Sequence, residues 1–119
     1  MGLIAEGCVP FPWCEGGYNS RLEVIKDMPK GTMLWGFDTT DMARAKKILG
    51  DNACLGGNFP LSILELGNVQ DVKNYIKRSI RDAGQNGGFI VMNGAAIEAV
   101  KPENLHALID ATKEFGVYK

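Results

Sequence analysis

Four short stretches hold the residues able to do chemistry. Glu15-Gly16-Gly17-Tyr18, Asp38-Thr39-Thr40-Asp41, Gly56-Gly57-Asn58 and Asn93-Gly94-Ala95 each follow an apolar run. Carboxylates and a phenol at such places can bind a ligand or move a proton. Glycine-rich turns that lead into helices can offer backbone N–H groups to an anion. Each stretch also has a plainer reading. Glu15 and Tyr18 are what an exposed loop carries, Asp38 and Asp41 suit helix caps, and the glycines suit tight turns out of strands. Gly56, Gly57, Asn58, Asn93, Gly94, Ala95, Glu15, Tyr18 and Asp38 form the candidate binding set. An anionic small molecule is the ligand that set implies. No residue is assigned catalysis, because the loop from Asn93 to Ala96 holds no acid, base or nucleophile.

Metal and cofactor chemistry find little support. Cys8 and Cys14 have five residues between them, wider than the spacing of common zinc knuckles, and the nearest further ligands are Cys54 and the lone His106. His106 falls inside a helical pattern, so no metal is expected, and no motif calls for a cofactor. An odd count of three cysteines without an export signal fits reduced thiols and a cytoplasmic setting. Trp13, Trp35, Phe11 and Phe37 read as core or subunit interface rather than a stacking platform. Thirteen basic against fourteen acidic residues leave a net charge of -1, with no basic cluster for nucleic acid. No apolar run is long enough to span a membrane.

The elements that must place these residues follow from periodicity and punctuation. Cys8 to Phe11 is the weakest strand candidate because of its prolines, and Pro12 to Asn19 is its loop. Ser20 and Glu23 have capping-box spacing, which predicts a helix over 21–28. Thr32 to Phe37 reads as a strand. The Asp38–Asp41 stretch then caps a helix whose apolar stripe is Met42, Ala45, Ile48 and Leu49, ending at Gly50. Ala53 to Leu55 is a short strand that runs into a glycine-rich turn at Gly56 to Asn58, and Phe59 to Leu66 is a loop or a short extra helix. Asn68 caps a helix over 69–83, buried along Val72, Tyr75, Ile76, Ser79 and Ile80, with Lys73, Lys77 and Arg78 on its solvated face. Gly84 to Gly88 leads into the apolar strand that ends at Asn93-Gly94. Pro102 opens the last helix, with Leu105, Leu108, Ile109, Thr112 and Phe115 on its inner face.

Strand and helix therefore alternate four times within a single domain, 1–119, which argues for an α/β fold with a parallel sheet and right-handed crossovers. Two architectures fit. One is an open sheet complete in itself. The other is half of an eight-stranded β/α barrel, whose two edges and inner face would have to pair with something.

The ordered runs Lys46-Lys47-Ile48-Leu49-Gly50-Asp51, Cys54 to Leu61, Gly87-Gly88-Phe89-Ile90, Lys101 to Leu105 and Glu114 to Tyr118 resemble the C-terminal half of the uroporphyrinogen decarboxylase superfamily. The resemblance implies strands five to eight of a TIM-type barrel, with a homodimer or a complementary N-terminal half-barrel as partner. It implies decarboxylation of a polycarboxylated tetrapyrrole or a similar acid, in a domain inactive as an isolated half. A corrinoid-dependent zinc methyltransferase-like domain is the alternative branch, and a non-catalytic dimerising half-barrel is a third reading. In the decarboxylases the loop after the last strand carries a histidine for the substrate's carboxylates, and in the methyltransferases it carries a zinc-binding cysteine. Ala95 stands at that place here and can do neither job.

Overall fold

Parallel pairing of β1 (Trp13–Cys14), β2 (Leu34–Phe37), β3 (Cys54–Phe59) and β4 (Phe89–Asn93) builds one four-stranded sheet in the computed structural model, which describes residues 1–118. The order across the sheet is β1-β2-β3-β4, so every strand lies beside its successor in sequence. Helices α1 (Gly2–Ala5), α2 (Leu22–Ile25), α3 (Met42–Leu49), α4 (Leu61–Leu66), α5 (Val69–Ala83) and α6 (Pro102–Phe115) make up the rest. Contacts run from α2 to α3, from α3 to α5 and from α5 to α6. Helices that touch in that order share one face of the sheet. Among the described residues, no helix covers the other face.

Register decides which side chains meet the helices. Trp35, Leu55 and Phe89 stand abreast, and so do Phe37 and Cys14. These five pack with Leu22, Met42, Ala45, Leu49 and Ala83. Further along the sheet, Phe59 and Val91 meet Leu64, Val72, Ile76, Ala107, Leu108 and Ala111. The two-residue period of a strand turns the intervening residues, Trp13, Leu34, Gly36, Cys54, Gly56, Ile90 and Met92, to the uncovered side. Two glycines on that side are hemmed in by large neighbours. A Cβ on Gly36 would lie 2.6 Å from the ring of Phe11 and 2.7 Å from that of Trp13, and one on Gly56 would collide with Met92 Sδ. The uncovered face is thus apolar yet wet: Phe11 is 49%, Trp13 41% and Ile90 46% exposed.

Helix starts follow their sequence signals in three cases. The Asp41 carboxylate accepts from Arg44 N at 3.1 Å to cap α3. Asn68 and Asp71 complete a reciprocal capping box on α5, both bonds 2.9 Å. Pro102 occupies the first turn of α6. Asn104, fully buried on α6, donates through Nδ2 to the carbonyls of Leu64 (3.1 Å) and Gly67 (2.9 Å), tying α6 to the end of α4.

Several expectations are corrected. The first strand is Trp13–Cys14 rather than Cys8 to Phe11. Its pairing begins earlier, with Leu34 N donating to Pro10 O and Gly36 N to Pro12 O, but neither proline has an N–H to answer with. Met1 to Gly7 contains the one-turn α1. The Ser20–Glu23 box does not form: α2 is four residues long, its N-cap is Arg21, and Glu23 pairs instead with Lys26 at 2.7 Å. Gly56-Gly57-Asn58 is not a turn but the middle of β3. The inner face of α6 is rotated to Asn104, Ala107, Leu108 and Ala111, leaving Ile109 exposed, because small residues let α6 approach α5 closely. The segment from Phe59 to Leu66, left open between loop and helix, contains α4.

Gly57 carries the tightest constraint in the sheet. Its φ is +144°, and a Cβ there would sit 2.8 Å from the carbonyl oxygen of Phe37. Gly57→Ala should destabilise the chain by about 2–3 kcal/mol through backbone strain and a clash with a neighbour that cannot move. Urea unfolding checks this, with a lower midpoint expected at unchanged slope.

Candidate functional site

The C-terminal ends of the four strands come together at one end of the sheet. Two of the loops there are latched. Gly16 N donates to Asp38 Oδ2 at 3.0 Å, Tyr18 N to Thr40 Oγ1 at 2.9 Å, and Asp41 N to Asn19 Oδ1 at 2.9 Å. Thr39 N adds a bond to Gly16 O at 3.2 Å. The short oxygen-bearing side chains after β2 thus satisfy the backbone of the loop after β1. Asp41, not Asp38, caps the helix, which leaves the Asp38 carboxylate facing the strand ends.

Alternation continues past the strands and puts Glu15 and Asp38 on the uncovered side. Glu15 is exposed and Asp38 half-buried. Gly94 is buried against Asp38: its N–H donates to Phe59 O at 2.9 Å, and a Cβ on it would lie 3.2 Å from Asp38 Oδ1. Any side chain at position 94 would crowd that carboxylate.

The other candidates are placed differently. Cys54 N bonds to Met33 O and Leu55 N to Gly88 O, so the amides of Gly56 and Gly57 fall inside the ladders to β2 and β4. Those amides are spent on the sheet. Asn58 is a structural tie: Nδ2 donates to Thr40 O at 2.6 Å, and Tyr75 Oη donates to its carbonyl and side-chain oxygens, each at 3.2 Å. Tyr18 packs its ring on the core, 6.4 Å from Phe37, beneath the guanidinium of Arg21. Asn93 turns its Nδ2 onto Ala95 O within its own loop, and Ala95 is exposed.

Asp38, Asn58, Gly94 and Ala95 line one cavity of about 780 Å³ with Thr39, Asp41 and the α5 side chains Tyr75, Arg78, Ser79 and Asp82. Glu15, Tyr18, Gly56, Gly57 and Asn93 do not line it. The α5 contribution is absent from the candidate set read from sequence. Its signal was the i, i+3, i+4, i+7 spacing of Tyr75, Arg78, Ser79 and Asp82, a polar edge beside the apolar stripe. Three carboxylates, Asp38, Asp41 and Asp82, face one guanidinium, Arg78, along the lining, and Asp82 is engaged by Arg81 at 2.7 Å. Such a lining suits the N–H, O–H or cationic parts of a ligand better than its acid groups. Among the described residues, no three His, Cys, Asp or Glu side chains converge to hold a metal ion.

Burial raises the Tyr75 phenol above its ordinary range, against an opposing pull from Arg78. The buried Cys14 and half-buried Cys54 thiols are raised by desolvation as well. Groups raised in the folded state stabilise it below their unfolded pKa, and this contribution is lost as pH climbs through the folded value. Tyr75→Phe should cost about 1 kcal/mol at neutral pH by removing the bonds to Asn58. It should also flatten the alkaline fall in stability through the phenol range. Equal alkaline slopes for the two proteins, by urea unfolding, would contradict the assignment. In the native chain, exposed Cys8 should react with a thiol reagent well before Cys14, as timed by mass spectrometry.

With this geometry established, comparison with known proteins gives a consistent result. The family model described as Uroporphyrinogen decarboxylase (URO-D) matches residues 12–115. A uroporphyrinogen decarboxylase of Coxiella burnetii is 31% identical over 107 residues, covering 88% of this chain and 27% of that protein. One from Methylococcus capsulatus is 26% identical over 119 residues, covering 98% and 33%. A third, from Chlorobium phaeovibrioides, is 34% identical over 84 residues, covering 67% and 23%. The chain thus spans about a quarter to a third of the length of these curated relatives. From strand order through matched length, the sequence and structure agree: this chain belongs to the uroporphyrinogen decarboxylase family.

Proposed function

We propose that residues 1–119 form a single domain, half of a β/α barrel of the uroporphyrinogen decarboxylase type, and that it supplies one side of a substrate pocket. The observation that carries this reading is the sheet itself. Four consecutive parallel strands lie in sequence order beneath a single helical layer. An open doubly wound sheet would reverse its strand order and carry helices on both faces. A β/α barrel does neither, and its interior is filled by apolar side chains such as those on the uncovered face here. Three free thiols are in keeping with a cytoplasmic setting, and no helix among the described residues is long and apolar enough to cross a membrane.

The chemistry proposed is decarboxylation of a polycarboxylated tetrapyrrole or a similar acid. Protonation of a pyrrole ring creates a cation, and loss of carbon dioxide returns the electron pair of the broken C–C bond to that ring. A fixed carboxylate lowers the energy of the cation most where water is excluded. That carboxylate belongs to the N-terminal half of the barrel, and Asp38, held by Gly16 N and given room by Gly94, is the residue of this half best placed to bind an N–H group of the substrate. Basic groups for the substrate's acid side chains would then belong to the completing half, since the lining here is acidic. On this reading the isolated chain has little activity.

Quenching of uroporphyrin fluorescence tests the proposal on the chain alone and on the chain mixed with the N-terminal half of a curated relative. Saturable binding is expected only in the mixture, and its absence there would sink the proposal. In an active mixture, Asp38→Asn should weaken uroporphyrin binding by about 10-fold while leaving the rate at saturation nearly unchanged.

A further inference from the structure

We infer that the cavity between α3 and α5 is a second ligand site, set in the helical layer, for an aliphatic diamine or polyamine. The inference goes beyond the decarboxylase reading: the two sites meet at Asp38, and α3 and α5 carry the rest of this one. Its walls are set inside the chain. β2 and β3 each pair with a strand on both sides, and α3 and α5 each touch a helix on both sides. Met42 and Ala43, in the first turn of α3, share the cavity of about 780 Å³ with Tyr75, Arg78, Ser79 and Asp82 of α5. That volume is within the range of small-molecule sites. Ser79 supplies the observation that points to a ligand. It is only 8% exposed, yet it lines the cavity. A hydroxyl within a helix either meets water or bonds back to the carbonyl one turn earlier, as Thr112 does to Leu108 O at 2.7 Å. Ser79 makes no such bond among the described residues, where the one sealed side-chain atom without a partner is Asn104 Oδ1. The Ser79 hydroxyl is therefore buried in protein but open to the cavity, where a ligand can complete it.

Charge and shape choose the ligand. Asp38, Asp41 and Asp82 are opposed by a single cation of the lining, Arg78. Each carboxylate has one oxygen already taken, by Gly16 N, Arg44 N and Arg81 Nε in turn. The second oxygen of each takes no bond from the described residues and is left to accept from a ligand's N–H groups. No three acidic side chains converge to hold a metal ion among the described residues. The matching cation is therefore one whose charges are spread along a chain. Met42, Phe59, Leu61 and the ring of Tyr75 belong to the same lining, and methylene groups between ammonium ends suit that surface. The Tyr75 ring offers a face for a cation too, but Arg78 lies over it, its guanidinium carbon 5.2 Å from the ring centre. Arg78 thus competes with the ligand twice, for the ring and through its charge. An anion fits less well. The first turn of α3, which would otherwise attract one, is already capped by the Asp41 carboxylate.

Isothermal titration of the 119-residue chain with spermidine should give saturable one-to-one binding with a dissociation constant below about 1 mM. Asp82→Asn should weaken it about 10-fold and Ser79→Ala about 5-fold. Asp41→Asn, which keeps a side-chain cap on α3, should weaken it as Asp82→Asn does. Arg78→Gln should tighten it about 3-fold by removing the competing cation. Asp110→Asn, on the exposed side of α6, should change nothing. Circular dichroism checks that each variant is folded, and the urea midpoint of the native chain should rise with spermidine concentration. Spermidine binding should persist even where uroporphyrin binding to the completed assembly fails, so the two readings fall separately. No saturable binding in the millimolar range would overturn the inference. So would an affinity unmoved by both Asp82→Asn and Ser79→Ala, which would reduce it to diffuse surface charge. Magnesium that binds in place of spermidine, or inorganic phosphate whose binding Arg78→Gln abolishes, would overturn the amine in favour of a metal ion or an anion.

Discussion

A parallel sheet must have both of its faces covered, and this chain covers one. Crossover helices bring their own apolar stripes to a parallel sheet, so each strand is written for burial on two sides. Here the helical layer buries Cys14, Phe37, Leu55 and Phe59 almost completely, while Phe11, Trp13 and Ile90 on the opposite face stay close to half exposed. The glycines at 36 and 56 sharpen the point. Their missing side chains let Phe11, Trp13 and Met92 lie flat across neighbouring strands, which fills space in a curved interior and gains little on a surface facing water.

The same sheet explains the character of the strand ends. Loops after β1 and β2 are joined by side-chain oxygens to backbone N–H groups, so the end of the sheet is rigid before any ligand arrives. That rigidity is bought with polar atoms, and the atoms used are mostly carboxylate and hydroxyl oxygens. Glycine, which from sequence promised a cradle for an anion, instead clears room: Gly94 beside Asp38, Gly57 beside the backbone of Phe37.

How much was legible beforehand depended on range. Asn68 before α5, the Asp38–Asp41 stretch before α3 and Pro102 at the start of α6 act within one turn of chain, and the sequence alone located them. Ser20 with Glu23 has the same spacing as a capping box and failed, because a one-turn helix gains too little from its own hydrogen bonds to hold the cap and Glu23 found Lys26. Gly56-Gly57-Asn58 looked like a turn by composition, yet pairing on both sides holds it extended. Of the polar row on α5 the sequence reads Tyr75 and Ser79 as buried and Arg78 as solvated, and only the fold brings them beside Asn58 and the β2 loop.

The sequence by itself determined the alternation of strand and helix, the apolar stripe of each helix and the family, since these are properties of neighbours along the chain. Only the tertiary structure decided that the strands lie in sequential order, that Asp38 is free of capping duty and sits against Gly94, and that one apolar face is left uncovered. Those facts depend on which residues distant in sequence share a hydrogen-bonded register, and a two-residue period specifies a strand's two faces without saying which one the helices will take.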